Sequence, residues 1–123
     1  MNGLTILIVD DNPINLKLLF YSLRNDYIVD IANNGSEALT MTKTKKYDLI
    51  IMDLWMPHID GAETTRQIRS LNSNINNRTP IIFCTTSTDE IDRQRCMTFG
   101  ANDYLIKPVN VNTLKTKLSH FLG

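Results

Sequence analysis

Apolar and polar positions follow two rhythms along this chain. Runs of strand length at Leu4–Val9, Ile28–Ala32, Leu49–Met52, Ile81–Thr85 and Tyr104–Ile106 are mostly apolar, the pattern of strands buried in a parallel sheet. Between and after them, apolar residues recur at helical spacing. The first helical stretch is the clearest: Asn12 suits an N-cap, Pro13 the first turn, and Leu16, Leu19, Phe20 and Leu23 form one stripe. Asn34 with Glu37 opens a second helix through about Lys45, and Asp60 with Glu63 opens a third whose buried side continues through Ile68 and Leu71. Ser87 with Glu90 opens a fourth that ends at Gly100. The fifth runs from about Asn110 to Leu122, with Val111, Leu114, Leu118 and Phe121 facing inward. The fourth helix has the weakest stripe, which marks it as the easiest to shift. The Asn-rich stretch from Asn72 to Thr79 reads as a flexible surface connection.

Strands alternating with helices are the signature of βαβ units around a parallel sheet. Right-handed crossovers leave few topologies, and the expected fold is an α/β, (βα)5 flavodoxin-like three-layer sandwich with a five-stranded parallel sheet in the order 2-1-3-4-5. With 123 residues, positions 1–123 are expected to form one domain. The chain carries 13 basic and 13 acidic residues, so no field of one sign draws it to nucleic acid or an anionic membrane. Its first apolar run is too short for a signal peptide and meets two aspartates, so a cytoplasmic, soluble protein is expected. Cys84 and Cys96 lack the close pairing of a metal or redox motif and are read as small buried hydrophobes. His58 and His120 are solitary and are placed at the surface.

Chemistry collects where the apolar runs end. Asp10 and Asp11 close the first run and Asp53 closes the third, while the fourth reaches Thr85 and Thr86 and the fifth reaches Lys107 and Pro108. Ligands in open α/β sheets bind outside the carboxyl ends of the strands, at the point where strand order reverses, here between the first and third strands. Three carboxylates in one crevice repel unless cations or protons intervene. Lys107 offsets one charge, and oxygen ligands without thiolate or imidazole suit Mg²⁺ or Mn²⁺. Capping of the first helix is the ordinary role for either Asp10 or Asp11 taken alone, but it does not account for Asp53 and Lys107. A carboxylate beside such a metal can attack a phosphoryl group and become an acyl phosphate. Asp53, alone at its strand end, is the best nucleophile candidate, with Asp10 and Asp11 left for the metal and Thr85 as a hydroxyl donor.

Four segments then resemble response-regulator receiver domains in the family's order: IVDDN (Ile8–Asn12), DLWMPHIDG (Asp53–Gly61), PIIFCTT (Pro80–Thr86) and GANDYLIKPV (Gly100–Val109). The resemblance covers essentially the whole chain. It implies that Asp53 accepts a phosphoryl group from a histidine of a sensor histidine kinase or histidine phosphotransfer protein. It implies that Asp11 binds Mg²⁺ directly, Asp10 through water, and that Asp53 and the Trp55 carbonyl complete the protein ligands. Lys107 would pair with the phosphate and Thr85 would bond it, with Tyr104 swinging inward to carry the change to the face of the fourth helix, fifth strand and fifth helix. The Lys107–Pro108 bond is expected to be cis. Thr86 and Trp55 are large for their positions, and both predict slow loss of phosphate from Asp53.

Other readings fit less well. A haloacid dehalogenase-type phosphatase wants a second carboxylate two residues after its nucleophile, where this chain has Trp55. A flavin binder or Walker-type nucleotide site wants a glycine- or hydroxyl-rich loop after the first strand, occupied here by Asp11, Asn12 and Pro13. The alternative that keeps the fold is a receiver used as an interaction module without phosphorylation, but its usual mark, loss of an acid or of Lys107, is missing. The expectation is thus a phosphoacceptor switch and not a turnover enzyme. It would act through an output domain or target on another chain, with a phosphorylation-dependent dimer as a further possibility, or as one step of a phosphate relay.

Overall fold

The computed structural model describes residues 3–70 and 74–123. Five strands and five helices alternate: β1 Thr5–Val9, α1 Pro13–Leu23, β2 Ile28–Ala32, α2 Gly35–Thr44, β3 Leu49–Met52, α3 Gly61–Ser70, β4 Ile81–Thr85, α4 Glu90–Phe99, β5 Asp103–Ile106 and α5 Val111–Leu122. All pairings are parallel and the order is β2-β1-β3-β4-β5, so β1 and β3 sit side by side where the order reverses. That is the expected topology.

The central strands β1, β3 and β4 are buried nearly end to end, which is why they read as continuous apolar runs. Helices cover both faces of the sheet. One core joins Leu7, Val9, Ile50, Met52 and Phe83 to Ala38, Ala62, Ile68 and Cys96. The other joins Ile6, Ile8, Ile51 and Ile82 to Leu16, Leu19, Leu23, Leu114 and Leu118. β2 is an edge strand and leaves Ile28 and Ile31 exposed. Both thiols are free and buried, and burial pushes each up to about 12. His58 and His120 are exposed.

Local chemistry starts and stops these helices. Asn12 accepts from the Ile14 and Asn15 amides and so caps α1, Asn34 caps α2 through the Glu37 amide, and Asp60 caps α3 through the Glu63 amide. At α4 the cap is Asp89, which accepts from the Ile91 amide. Ser87 instead spends its hydroxyl on Asp92, so the expected Ser87 and Glu90 pairing does not form. A side chain five residues on competes for the serine, and Asp89 stands closer to the first turn.

The Asn-rich connection also departs from expectation, because Asn74, Asn76 and Thr79 are buried. The Asn76 amide group donates to the carbonyls of Thr42 and Lys45, and its oxygen accepts from the Tyr47 amide and the Thr79 hydroxyl. This side chain does the work of backbone pairing where α2 meets β3. The expected contribution of Leu71 to the α3 stripe lies outside the described residues.

Candidate functional site

At the carboxyl ends of β1, β3, β4 and β5 the chain leaves the sheet and its polar side chains converge. The Asp53 amide donates to the Val9 carbonyl at 2.9 Å, tying the start of the β3–α3 loop to the end of β1. Asp10 and Asp53 are buried while Asp11 is exposed. Oxygen atoms from the three carboxylates lie within 4.8 Å of one another.

Lys107, arriving from β5, stands between two of these acids. Its ammonium donates to Asp10 Oδ2 at 2.9 Å and lies 3.5 Å from Asp53 Oδ2. The other Asp10 oxygen accepts from the Asn12 amide at 2.9 Å. Asp10 therefore does not cap α1, since Asn12 does, and both its oxygens are engaged. The Lys107 amide donates to the Thr85 carbonyl at 2.7 Å, and the bond to Pro108 is cis as expected.

Electrostatics follow from the crowding. Burial pushes the Asp53 carboxyl up to about 6, the charge of Asp10 adds to the rise, and Lys107 with the Leu54 amide pulls the other way. For Lys107, burial works against the charge. The hydrogen bond to Asp10 and the charges of Asp53 and Asp10 overcome it, so the ammonium is held above its ordinary value. With all groups ionised, three carboxylates and one ammonium leave two negative charges in the crevice. An all-oxygen donor set carrying that excess fits a hard divalent cation.

Thr85 is fully buried, and its hydroxyl oxygen accepts from the Ser87 amide at 3.3 Å. A lone pair is spent and the proton is left for another acceptor. Tyr104 stands outside the acidic cluster: its ring stacks on Phe83 at 6.3 Å and its hydroxyl donates to the Ser87 carbonyl at 3.0 Å. Ser87 thus links the two. Trp55 is 49% exposed on the loop after Asp53, and Thr86 is exposed beside Lys107.

Two features of the site escaped the sequence reading. Gly61 packs on the backbone of Asp53, where a Cβ would run into the Asp53 carbonyl oxygen, and its amide donates to the Leu54 carbonyl at 2.7 Å. A glycine directly after a helix-capping aspartate was the available signal. The second is a groove of about 340 Å³ beside Lys107, lined by Asn15, Leu18, Leu19, Thr86, Pro108 and Val109. Leu18 in its lining is 56% exposed, and Ile14, one turn before it on α1, is 75% exposed. Their i, i+4 spacing on the side of α1 opposite the buried stripe was visible in the sequence.

Comparison with known proteins bears on this arrangement. The model of the response regulator receiver domain family matches residues 6–119. A segment of hybrid signal transduction histidine kinase B of Dictyostelium discoideum is 39% identical over 119 residues, covering 89% of this chain and 6% of that protein. The transcriptional regulatory protein ResD of Bacillus subtilis is 41% identical over 108 residues, covering 87% of this chain and 43% of that protein. The chain thus spans less than half the length of either relative. Among solved structures, the receiver domain of the sensor histidine kinase PA1611 of Pseudomonas aeruginosa, with a magnesium ion coordinated in its active-site cleft, superposes with a TM-score of 0.89 at 36% identity, covering 98% of both chains.

Proposed function

Because this chain belongs to the response regulator receiver domain family of two-component signalling, we propose that it is a phosphoacceptor switch in which Asp53 takes a phosphoryl group from a phosphohistidine. The observation that carries this reading is the Lys107 ammonium held between Asp10 and Asp53 within a cluster of three carboxylates. A carboxylate oxygen of Asp53 attacks phosphorus, the P–N bond to the imidazole breaks, and the imidazole leaves with the electron pair and takes up a proton. The product is an acyl phosphate on Asp53.

Each remaining residue has a task that its position supports. Asp10, Asp11, Asp53 and the carbonyl of Trp55 would hold Mg²⁺ or Mn²⁺, which when bound supplies positive charge to the transferring phosphoryl oxygens. Lys107 is already within reach of Asp53 and transfers its interaction to the phosphoryl oxygens. Thr85 donates the proton that its bond from Ser87 leaves free. Because Ser87 also receives the Tyr104 hydroxyl, the phosphoryl group favours the conformer in which Thr85, Ser87 and Tyr104 are locked together, and the α4–β5–α5 face changes with it. Ile91 and Ile106 are exposed in α4 and β5, and a phosphorylation-dependent dimer through this face would show as a mass increase in light scattering when a phosphate mimic is added.

The donor is a histidine kinase or a histidine phosphotransfer protein. Exposed Ile14 and Leu18 and the apolar groove beside Lys107 offer such a partner a surface that leads to Asp53. One phosphoryl group is stored per cycle, and exposed Thr86 and Trp55 crowd the approach of water, so loss of phosphate is slow. Thr86→Ala accelerates that loss several-fold in an acid-quench assay; rapid loss in the wild type, unchanged in the variant, would remove this role.

Intact-protein mass spectrometry after incubation with acetyl phosphate and Mg²⁺ tests the main reading. The expected phosphoryl adduct requires the metal and disappears in Asp53→Asn. No adduct from acetyl phosphate or from a phosphohistidine donor would instead favour an interaction module that works without phosphorylation.

A further inference from the structure

Helix α4 buries only Cys96 among its own residues, so apolar packing alone does not fix its position. Two arginines strap it to α3. At its carboxyl end, Arg69 of α3 donates from Nε and Nη2 to the Gly100 carbonyl at 3.1 and 2.9 Å. Gly100 lies at φ 120°, and a Cβ there would meet the Arg69 side chain. On the α4 side, Arg95 Nη2 lies 2.6 Å from Asp60 Oδ2.

The second strap ends at an informative place. The other Asp60 oxygen caps α3 through the Glu63 amide at 2.8 Å, and the Asp60 carbonyl accepts from the Thr64 amide and hydroxyl at 3.0 and 2.8 Å. The next residue is Gly61, which rests on the backbone of Asp53 and donates to Leu54. One side chain of α4 is therefore two short steps from the backbone of the acceptor.

We propose that Arg95 is a positioning residue: its ion pair with Asp60 couples the placement of the Asp53-bearing β3–α3 loop to the position of α4. The coupling works in both directions, as any linkage between two equilibria must. Loosening α4 loosens the loop, and loosening the loop frees α4. Its value for signalling rests on the phosphoacceptor reading above; its existence does not.

Amide hydrogen exchange of the whole chain, read by mass spectrometry over segments 54–62 and 90–99, tests the coupling. Asp60→Asn keeps a capping side chain and removes the charge, whereas Arg95→Ala removes the partner. A partly exposed pair of this kind predicts about two- to five-fold faster exchange. Arg95→Ala should show it in 54–62, Asp60→Asn in 90–99, and the double variant should match either single one. Arg95→Lys should restore most of the protection. Unchanged exchange in 54–62 for Arg95→Ala would overturn the proposal even if α4 itself loosened, because the pair would then be only a local contact.

A second arm follows phosphorylation by acetyl phosphate. Arg95→Ala should take the phosphoryl group more slowly by a similar factor, with Arg95→Lys close to wild type. Equal rates for all three would also overturn the positioning role. If the wild type took no phosphoryl group from acetyl phosphate or from a phosphohistidine donor, the phosphoacceptor reading would fall, and the exchange arm would still decide the coupling.

Discussion

Replacing Asp53 with asparagine in metal-free protein removes one charge from a crevice that holds too many. The folded carboxyl is pushed from its ordinary 3.8 to about 6, by burial first and by Asp10 second, while the unfolded one stays near 3.8. Between these values the folded chain keeps a proton that the unfolded chain has lost. The protonated carboxyl's contribution is fully present below 3.8 and is lost as the pH rises through 6. A shift of roughly two units corresponds to ~3 kcal/mol of destabilisation at neutral pH. Asparagine has the same shape without the charge, and Lys107 keeps its 2.9 Å bond to Asp10. Urea denaturation in EDTA should therefore show Asp53→Asn more stable than wild type by ~2–3 kcal/mol near pH 7.5 and nearly equal to it near pH 4. Excess Mg²⁺ should narrow the gap by stabilising the wild type more, because ligand binding to the folded state alone adds stability. A variant no more stable than wild type near pH 7.5, or a gain of the same size at both pH values, would refute the crowding argument.

Three further substitutions probe the frame around the site. Gly61→Ala drives a methyl group into the Asp53 carbonyl oxygen, so unfolding measurements should show a loss of about 1–3 kcal/mol, and acetyl phosphate should label Asp53 more slowly. Exposed His58 holds φ at 71°, and His58→Gly should raise stability by about 0.5–1 kcal/mol as relief of the left-handed strain outweighs glycine's chain entropy. The buried Thr65 hydroxyl has no hydrogen-bond partner among the described residues, so Thr65→Val should raise the urea midpoint by an amount equivalent to about 1 kcal/mol; a lower midpoint would mean that the hydroxyl is satisfied in solution.

The sheet was legible because its central strands are buried on both faces, so Ile6 to Val9, Leu49 to Met52 and Ile81 to Cys84 had no polar positions to interrupt them. Asp10 and Asp53 were legible for the same reason, as the first charges after such runs, whereas Lys107 follows β5, an edge strand that is only partly buried, and was legible only as the charge that ends a short apolar run. Capping at Asn12, Asn34 and Asp60 is local chemistry within three residues and was read correctly. Reading failed where a polar residue's partner is distant in sequence. Asn76 is bonded to Thr42, Lys45 and Tyr47, each about thirty residues away, and no periodicity reports such a bond. Composition gives the same Asn-rich signal for a solvated loop and for a buried staple.

The same limit explains why α4 was only half understood. Its weak stripe correctly indicated little apolar burial, since Cys96 alone is buried, but weak burial does not fix how a helix is held. Arg95, Arg69, Asp92 and Tyr104 hold α4 and the loop before it by directional polar contacts. Such contacts suit a switch better than packing does. Each is worth on the order of 1 kcal/mol, whereas withdrawing a large buried side chain would cost several. A phosphoryl group that adds one or two charge-assisted hydrogen bonds can outweigh the former and not the latter. On the phosphoacceptor reading proposed above, helix α4 is the element that a change at Asp53 would move, because few apolar residues of its own are buried to fix it.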